Sequence, residues 1–471
     1  MKVKQLFTSC LAEMAYYIES NGEVAIIDPL RETEPYIKMA KEDNAKIKYI
    51  FLTHFHADFV SGQYDLAQKT GAKIIFGPSA TAEYDIYVGT DEELFPLGDI
   101  NLKLLHTPGH TMESISLVLI DEKEKMTHLF SGDALLIGDV GRPDLAVKTN
   151  LSQKDLAGHL FDSLRNKIMP LPNNIIVYPN HGAGSACGKN ISKETSDTLE
   201  NQKKVNYALR ANMTKDEFVK EVITGLKNPP QYFPNNAKMN KSINTSIDTI
   251  LKNGTVSLDV DTFKEMSEQK DILVIDTRSK EEYINQGTVP GAWYIGIDGN
   301  FAPWVGALIT DINQKIIFIG DKKRSKEITT RFSRVGYDNI IGCLNGGINA
   351  WTSKGYAVDT IKSITPQEFK LKLEKGEIEN PIDVRKESEY LSEHVKGVAN
   401  FPLDDIHVNF TEIKMNKKYY IHCLSGYRSL IASSIFKANG MDIVYNVLDG
   451  FEGLKEANAK LTNYVCPTTM L

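Results

Sequence analysis

The chain has 471 residues, 42% of them hydrophobic and 24% charged, a composition that suits an ordinary soluble globular protein with a sizeable core. Its formal net charge of -7 comes without any block of lysine and arginine, which argues against nucleic acid or an anionic membrane as the main partner. At about 150 residues per domain, the length predicts three domains. No stretch approaches the roughly 18 apolar residues of a membrane span, and residues 1–20 lack the apolar core of a signal peptide, so they predict a strand.

The cysteines are widely spaced and include no C-x-x-C pair; they are Cys10, Cys187, Cys343, Cys423 and Cys466. An odd number of separated thiols suits a reducing compartment better than a disulfide framework. We therefore expect free thiols and a cytoplasmic protein.

Short strand-like runs alternate with turns and a few helical stretches in the first half of the chain, which predicts a layered α/β domain. The predicted strands are Val24–Ile27, Ile47–Leu52, Lys73–Phe76, Ile100–His106, Ile115–Ile120, Thr127–Phe130 and Ile175–Tyr178. The predicted helices are Asp58–Thr70 and Leu199–Leu226, the second with a capping box of Thr214 and Glu217. The proline-rich run Asn228–Asn236 predicts an arm or linker, so we expect the first domain to span residues 1–250.

Potential metal ligands cluster at the ends of predicted strands. Three of them, His54, His56 and Asp58, lie in the single run Thr53–Phe59. The others each stand beside glycine or proline after a strand, and they are His110, Asp133 and His181. Loops at strand ends converge on pockets in folds of this kind, so the set predicts a metal site.

The order of these motifs resembles the metallo-β-lactamase fold, an αββα sandwich, over residues 1–250. In the binuclear hydrolases of that fold the first motif reads H-x-H-x-D-H, and its last histidine helps to hold a second zinc. That position is Phe59 in this chain, and a phenyl ring cannot ligate a metal. We therefore expect a single metal ion.

Imidazoles combined with a carboxylate are typical of mononuclear Fe(II) oxygenase sites, which leave positions open for substrate and O₂. Through the runs Gly132–Ile137 and Gly141–Asp144, the chain is most similar to the persulfide dioxygenase branch of the fold. That resemblance implies one Fe(II) held by His54, His110 and Asp133, with His56 beside it as a further candidate ligand.

Three more residues have candidate roles around this site. Asp58 and His181 would serve a second metal in the hydrolases, and here they remain to orient ligands or bound water. Cys187 follows His181 by six residues in a glycine-rich loop. It is a candidate catalytic thiol that accepts or passes on sulfur; the alternative is a small buried filler.

The rest of the chain contains an internal repeat. The run Ile275–Arg278 recurs as Ile382–Arg385 at an offset of 107, and Arg324–Ser325 recurs as Arg428–Ser429 at an offset of 104. We predict two copies of one small α/β domain with a parallel sheet, at residues 255–358 and 362–471.

In the second copy, Cys423 stands at a predicted strand-to-helix turn, followed by Gly426 and Arg428. Loop N–H groups, a helix N-terminus and a nearby positive charge lower the pKa of a thiol. Both copies resemble the rhodanese family of sulfurtransferases, which implies that Cys423 carries a persulfide. Four residues separate Cys423 from Arg428, which favours sulfur over the larger phosphate.

In the first copy, the offset of 104 leads from Cys423 to Ile319, which has no nucleophile. We therefore expect that copy to be inactive and to serve as a spacer or docking surface. Asp383 and Arg385 of the second copy are expected to be structural.

As a whole, the chain resembles bacterial fusions of a persulfide dioxygenase with a sulfurtransferase. The resemblance implies Fe(II)-dependent oxidation of a low-molecular-weight thiol persulfide to sulfite by O₂, followed by transfer of sulfur from Cys423 to sulfite, giving thiosulfate, in sulfide detoxification. It also implies a homo-oligomer. Two alternatives remain open: a zinc glyoxalase II-like thioester hydrolase fused to a sulfur carrier, and a non-catalytic persulfide sensor or sulfur-delivery protein.

Overall fold

The computed structural model describes residues 1–146, 151–226, 228–441 and 443–466. The chain divides into two compact units, one of residues 1–247 with 333–336 and the other of residues 248–332 with 337–471. The end of the predicted third domain, residues 467–471, lies outside the described residues.

The first unit contains two six-stranded sheets, and the strands of each follow one another in chain order. The first sheet is formed by β1 (Lys2–Thr8), β2 (Glu13–Ser20), β3 (Glu23–Ile27), β4 (Lys46–Phe51), β5 (Lys73–Phe76) and β6 (Tyr87–Val88). The second sheet is formed by β7 (Leu94–Leu97), β8 (Ile100–His106), β9 (Ile115–Ile120), β10 (Met126–Gly132), β11 (Ile176–Pro179) and β12 (Asp197–Thr198).

The helices that accompany these sheets are α1 (Glu34–Glu42), α2 (Gln63–Thr70), α3 (Gln153–Ser163), α4 (Leu199–Val205), α5 (Lys215–Ile223) and α6 (Phe233–Met239). One apolar cluster lies between the sheets, and one lies on the outer face of each sheet, under helices. Strand β2 shows why: Tyr16 and Ile18 join the cluster between the sheets, whereas Tyr17 joins the outer one. Alternating side chains of a strand point to opposite faces, so both faces of this strand are buried. The layers are helix, sheet, sheet and helix, the predicted αββα sandwich.

Four predicted elements differ from the observed ones by more than two residues. Residues 1–20, predicted as one strand, form β1 and β2. The helix expected from Asp58 begins only at Gln63, because residues 58–62 form an irregular loop. The helix expected over Leu199–Leu226 is interrupted after Val205, although its capping box of Thr214 and Glu217 is confirmed at the start of α5. The predicted linker Asn228–Asn236 ends inside α6, since Pro234 lies in the first turn of that helix, where no N–H is needed.

The second unit contains two five-stranded parallel sheets with the same strand order, which confirms the internal repeat. The first sheet, in spatial order, is β13 (Ser257–Leu258), β17 (Ile340–Leu344), β16 (Lys315–Ile319), β14 (Ile272–Asp276) and β15 (Trp293–Tyr294). The second sheet is β18 (Lys362–Ile364), β22 (Val444–Val447), β21 (Tyr419–His422), β19 (Pro381–Asp383) and β20 (Ala399–Asn400).

Helices alternate with these strands along the chain. In and leading into the first copy they are α7 (Ile247–Gly254), α8 (Val260–Ser267), α9 (Lys280–Gln286), α10 (Phe301–Leu308), α11 (Ser325–Arg334) and α12 (Gly347–Ser353). In the second copy they are α13 (Pro366–Glu374), α14 (Glu387–Ser392), α15 (Ile406–Asn409), α16 (Tyr427–Ala438) and α17 (Gly450–Glu456).

Strand pairing corrects the position that corresponds to Cys423. Asp276 pairs with Ile319 in the first copy, and Asp383 pairs with His422 in the second. Ile319 therefore takes the place of His422, and Gly320 takes the place of Cys423. The offset of 104 was wrong at this point because the loop before the Arg-Ser pair is one residue shorter in the first copy. Glycine offers no nucleophile either, so the inactivity of this copy stays a prediction.

No helix within residues 1–146, 151–226, 228–441 and 443–466 is both long enough and apolar enough to span a bilayer.

We predict that Gly450→Ala destabilises the second copy. Gly450 has a φ of 54°, and a Cβ there would lie 2.4 Å from the carbonyl oxygen of Cys423. Left-handed strain and overlap with backbone atoms together should lower the free energy of unfolding by about 3 kcal/mol, measured by chemical denaturation. The matched control is Gly440→Ala, whose φ is 90° but whose Cβ would meet nothing within 4 Å. It should lose only about 1 kcal/mol, and equal losses in the two variants would contradict the argument.

Candidate functional site

The predicted metal ligands lie in the loops that follow four strands of the first unit. His54, His56 and Asp58 follow β4, and His110 lies in the turn between β8 and β9. The others come after β10 and β11, which are parallel and therefore end at the same edge of their sheet; they are Asp133 and His181. All six side chains are at most 5% exposed.

His54, His110 and Asp133 form one group. Each offers a ligand atom, and these atoms lie within 4.8 Å of one another. His110 Nε2 is 3.5 Å from Asp133 Oδ2. Both carboxylate oxygens of Asp133 are buried and have no hydrogen-bond partner among the described residues. A buried carboxylate without partners is costly, so the group fits a bound cation.

In both His54 and His110, Nδ1 lies within hydrogen-bond distance of an oxygen atom outside the ligand group. His54 Nδ1 lies 3.0 Å from the hydroxyl of Thr53, and His110 Nδ1 lies 2.8 Å from the carbonyl oxygen of Arg142. An N–H at each Nδ1 leaves Nε2 with a lone pair. Contacts of this kind orient metal-binding imidazoles.

His56 is oriented the other way. Its Nε2 lies 2.9 Å from Asp28 Oδ1, and its buried Nδ1 has no hydrogen-bond partner among the described residues. With Asp58 and His181 it forms a second group of ligand atoms within 4.8 Å. Asp133 borders both groups, since its Oδ2 is 3.6 Å from His181 Nε2.

Phe59 packs against this second group. Its fully buried ring stacks on the His56 ring, with centroids 4.3 Å apart and an interplanar angle of 30°. The position of a histidine ligand in the hydrolase motif is therefore filled by a hydrocarbon ring.

Asp28 is a site residue that sequence reasoning missed. Its carboxylate accepts hydrogen bonds from the Thr53 N–H, the Thr53 hydroxyl, His56 and the Asn180 amide, at 2.7–2.9 Å. The signal available in the sequence was an acidic residue directly after an apolar strand. In the structure, the φ of Asp28 is 49°, which is unusual for a residue other than glycine.

Burial and charge set the protonation of these groups. Burial, together with the charges of His56, His110 and His181, lowers the pKa of His54 well below its usual value, so this imidazole is neutral. Burial opposes the charged form of His56 too, but the Asp28 carboxylate outweighs it and raises the pKa.

Glu13, on β2, is a second residue that the sequence did not reveal. Burial and the charges of Asp28 and Asp58 raise its pKa well above its usual value. Its two oxygens have no hydrogen-bond partner among the described residues, so the carboxyl group is held neutral. Glu13 pairs with His181 through an isolated β-bridge, which brings it to the same region.

The structure brings Cys187 to the metal ligands. Its Sγ lies within 4.8 Å of ligand atoms of Asp133 and His181. Burial, with Asp58 and Asp133 nearby, raises the pKa of this thiol well above its usual value. The N–H of Arg142 donates to the Cys187 carbonyl oxygen at 2.9 Å, so the segment that positions His110 also positions Cys187.

In the second unit, Cys423 follows β21 and precedes α16, as the sequence predicts. Its buried sulfur accepts the Gly426 N–H at 3.2 Å, and the Ser429 hydroxyl lies 3.5 Å away. Gly426 has a φ of 92°, which a residue with a side chain adopts only with strain. These donors stabilise negative charge on the sulfur.

Arg428 forms an ion pair with Glu389, a residue that sequence reasoning did not assign to the site. Its guanidinium forms two hydrogen bonds with Glu389, at 2.6 and 2.9 Å. Burial raises the pKa of Glu389, but Arg428 outweighs this and lowers it overall. The positive charge near Cys423 is therefore partly balanced by this carboxylate.

Asp383, the last residue of β19, and Arg385 form an ion pair that packs against α17. Arg385 pairs with Asp383 at 2.7 Å and lies 3.9 Å above the ring of Phe451. Neither residue is hydrogen-bonded to Cys423 among the contacts of the described residues.

Two family models match the chain. The model described as the metallo-beta-lactamase superfamily matches residues 9–181, and the model described as the rhodanese-like domain matches residues 259–354 and 365–457. The matched segments fall in the two units described above.

The curated relatives each match less than half of the chain, whereas one solved structure covers most of it. The chain is 29% identical over 233 residues to the mitochondrial persulfide dioxygenase of Homo sapiens, a match that covers 49% of this chain and 82% of that protein. It is 30% identical over 193 residues to a hydroxyacylglutathione hydrolase of Pelagibacter ubique, covering 40% of this chain and 71% of that protein. The crystal structure of a metallo-beta-lactamase from Staphylococcus aureus is 31% identical, covers 73% of this chain and 98% of that one, and superposes with a TM-score of 0.63.

We predict that Phe59→His increases metal binding. The new imidazole would join His56, Asp58 and His181, so the metal content measured by elemental analysis after anaerobic loading with Fe(II) or Zn²⁺ should rise from about one ion per chain to about two. Phe59→Leu is the control, because it removes the ring without adding a ligand. Two ions already bound by the unsubstituted chain would contradict this prediction.

Proposed function

Because the chain belongs to the metallo-β-lactamase superfamily and carries two rhodanese-like domains after that domain, we propose that it is a persulfide dioxygenase coupled to a sulfurtransferase. Its substrates would be a low-molecular-weight thiol persulfide, O₂ and sulfite. The observation that carries the proposal is the grouping of two histidines and one aspartate, with the Phe59 ring stacked on His56 of the neighbouring group, in a chain that also holds the Cys423 loop.

In this proposal, His54 and His110 hold one Fe(II) through Nε2, and Asp133 holds it through its carboxylate. Two imidazoles and one carboxylate are the ligand set of many non-haem Fe(II) oxygenases. When bound, such an ion supplies the redox chemistry that allows O₂ to react with a persulfide.

The protein's own groups shape the rest of the site. The Thr53 hydroxyl and the Arg142 carbonyl oxygen hold the two imidazoles in place, and Phe59 closes the position of a second ion. Asp58 and His181 remain to orient water or substrate beside Asp133. Persulfide, O₂ and water give thiol and sulfite, so ordered water is a required reactant. Burial and the nearby carboxylates of Asp58 and Asp133 raise the pKa of the Cys187 thiol and keep it protonated, which favours a buried filler over a residue that exchanges sulfur.

The second reaction takes place at Cys423. Its thiolate attacks the outer sulfur of a persulfide, the sulfur–sulfur bond of that persulfide breaks, and the thiol leaves. Sulfite then attacks the outer sulfur now carried by Cys423, which releases thiosulfate and regenerates the thiolate. The Gly426 N–H and the Ser429 hydroxyl stabilise the anionic sulfur in both steps, and Arg428 attracts the incoming sulfite. Oxidation and transfer together would convert sulfide-derived persulfide into a stable product.

A thioester hydrolase with zinc is the second candidate. It is favoured by the similarity to hydroxyacylglutathione hydrolases and by the retained group of His56, Asp58 and His181. A sensor or sulfur-delivery protein without catalysis at the metal is a third possibility from the sequence. The substrates separate the three: only the dioxygenase consumes O₂, and only the hydrolase cleaves S-lactoylglutathione.

We expect Fe(II)-loaded protein to consume O₂ with glutathione persulfide or coenzyme A persulfide and to form sulfite. His110→Ala should lower the rate by at least about 100-fold and reduce the iron content, because it removes a ligand. His159→Ala, on α3 and outside the ligand groups, is the control and should behave like the unsubstituted chain. Absence of O₂ uptake by the iron-loaded protein, or full activity of His110→Ala, would refute the dioxygenase.

We expect Cys423→Ser to separate the two reactions. O₂ uptake should continue, but sulfite should accumulate in place of thiosulfate, because the serine hydroxyl cannot carry a persulfide. Ion chromatography of both products measures this ratio. Cys466→Ser, which alters an exposed cysteine, is the control. Undiminished thiosulfate formation by Cys423→Ser would exclude transfer through this residue.

A further inference from the structure

The side chain of Tyr427 reaches from the second rhodanese-like copy into the first, within one compact unit. Tyr427 is the first residue of α16 and directly follows Gly426, the residue whose N–H donates to the Cys423 sulfur. Its hydroxyl donates to the carbonyl oxygen of Gly296, in the first copy, at 2.8 Å.

The first copy provides a socket for this ring. At Gly299, a Cβ would lie 2.3 Å from the Tyr427 ring, so only glycine leaves room for the side chain. Tyr294 packs edge-on against the same ring, with centroids 6.1 Å apart. Burial raises the pKa of Tyr427, so its hydroxyl stays protonated and remains a donor.

A second contact holds α16 two turns further along. The Tyr294 N–H, on β15, donates to the Ser434 hydroxyl oxygen at 2.8 Å. Residues seven apart lie on the same face of a helix, so Tyr427 and Ser434 present one face of α16 to β15. The helix that begins at the thiol loop is thus held at its first turn and again near its middle by the first copy.

In the described residues of the first copy, the corresponding loop shows no counterpart of this arrangement. Counted back from the Arg-Ser pair, Lys323 takes the position of Tyr427, and Lys323 is exposed. The tyrosine belongs only to the loop that contains the cysteine, which indicates that the contact serves that loop.

We propose that the first rhodanese-like copy positions the thiol loop of the second, with Tyr427 as the positioning residue and Gly299 as its socket. Fixing the Tyr427 side chain fixes the peptide that joins it to Gly426. That peptide belongs to the left-handed turn that directs the Gly426 N–H toward the sulfur. The inference rests on the proposed role of Cys423 as the sulfur carrier, but its test does not depend on turnover.

The test is the pH dependence of Cys423 alkylation by iodoacetamide in the full-length chain, followed by mass spectrometry of the peptide that contains Cys423. Tyr427→Phe removes only the hydroxyl. With the loop less well held, we expect the midpoint of alkylation to rise by about one pH unit. The rate of sulfur transfer from thiosulfate to cyanide should fall about tenfold. Most of this loss should come from a lower kcat and less of it from a change in KM.

The matched control is Tyr337→Phe. Tyr337 is buried in the first copy and also donates its hydroxyl to a backbone carbonyl, that of Ile309, away from the thiol loop. It should lose a similar amount of stability and keep the alkylation midpoint of the unsubstituted chain. An unchanged midpoint in Tyr427→Phe, whatever its thermal stability, overturns the proposal, because a merely structural contact predicts that result.

Gly299→Val gives an independent test from the side of the socket. Its branched side chain displaces the Tyr427 ring, so the folded variant should show the same rise in the midpoint. A folded Gly299→Val protein with the original midpoint overturns the proposal as well. Alkylation needs no sulfur substrate, so a chain that forms no thiosulfate would refute the proposed function and still report on this contact.

Discussion

The buried carboxylate of Asp28 joins the ends of three strands at the metal centre. It follows β3, it accepts hydrogen bonds from the residue after β4, and it accepts another from Asn180, directly after β11. Since β3 and β4 belong to one sheet and β11 to the other, this carboxylate connects the two sheets. It also holds the His56 ring. A buried carboxylate with four donors is well satisfied, whereas the Asp133 carboxylate has no hydrogen-bond partner among the described residues. Asp28 therefore stabilises the framework, and Asp133 is suited to binding a cation.

The two candidate centres favour ligands of opposite charge. Around Asp133 the buried atoms without described hydrogen-bond partners include Asp58 Oδ1 and both Asp133 oxygens, whose lone pairs favour positive charge. Around Cys423 the groups that face the sulfur are an N–H and a hydroxyl, with a guanidinium nearby, which together favour negative charge. One centre is therefore suited to a metal ion and the other to an anionic sulfur atom. A metal-dependent oxidation and a sulfur transfer need these opposite environments.

Much of this arrangement was predictable from the sequence. Strands Lys73–Phe76, Ile100–His106 and Ile115–Ile120 have the predicted bounds, because apolar alternation between turn residues is a local signal. The resemblance of both halves to known families is confirmed by the family matches. The candidate ligands were found because metal-binding side chains stand out beside glycine and proline at strand ends, and the structure brings all six together.

The contacts that sequence reasoning missed are those between residues far apart in the chain. Asp28 meets Asn180 across 152 positions, Glu389 meets Arg428 across 39, and Tyr427 meets Gly296 across 131. No local periodicity encodes such pairs. The position of Ile319 was misjudged for a related reason: an offset measured beyond a loop does not hold before it when the loop changes length, and only strand register detects the difference.

The shorter loop before Arg324 also limits what a single substitution could do in the first copy. Replacing Gly320 by cysteine would restore a sulfur atom to the first copy in a single step. The loop would still be one residue short, with no glycine between position 320 and Arg324 to direct an N–H toward that sulfur. Lys323 would still be exposed and would not fill a socket as Tyr427 does. Restoring the chemistry would require an insertion and several coordinated substitutions. A single substitution at Gly320 would therefore not give the two copies equivalent thiol loops.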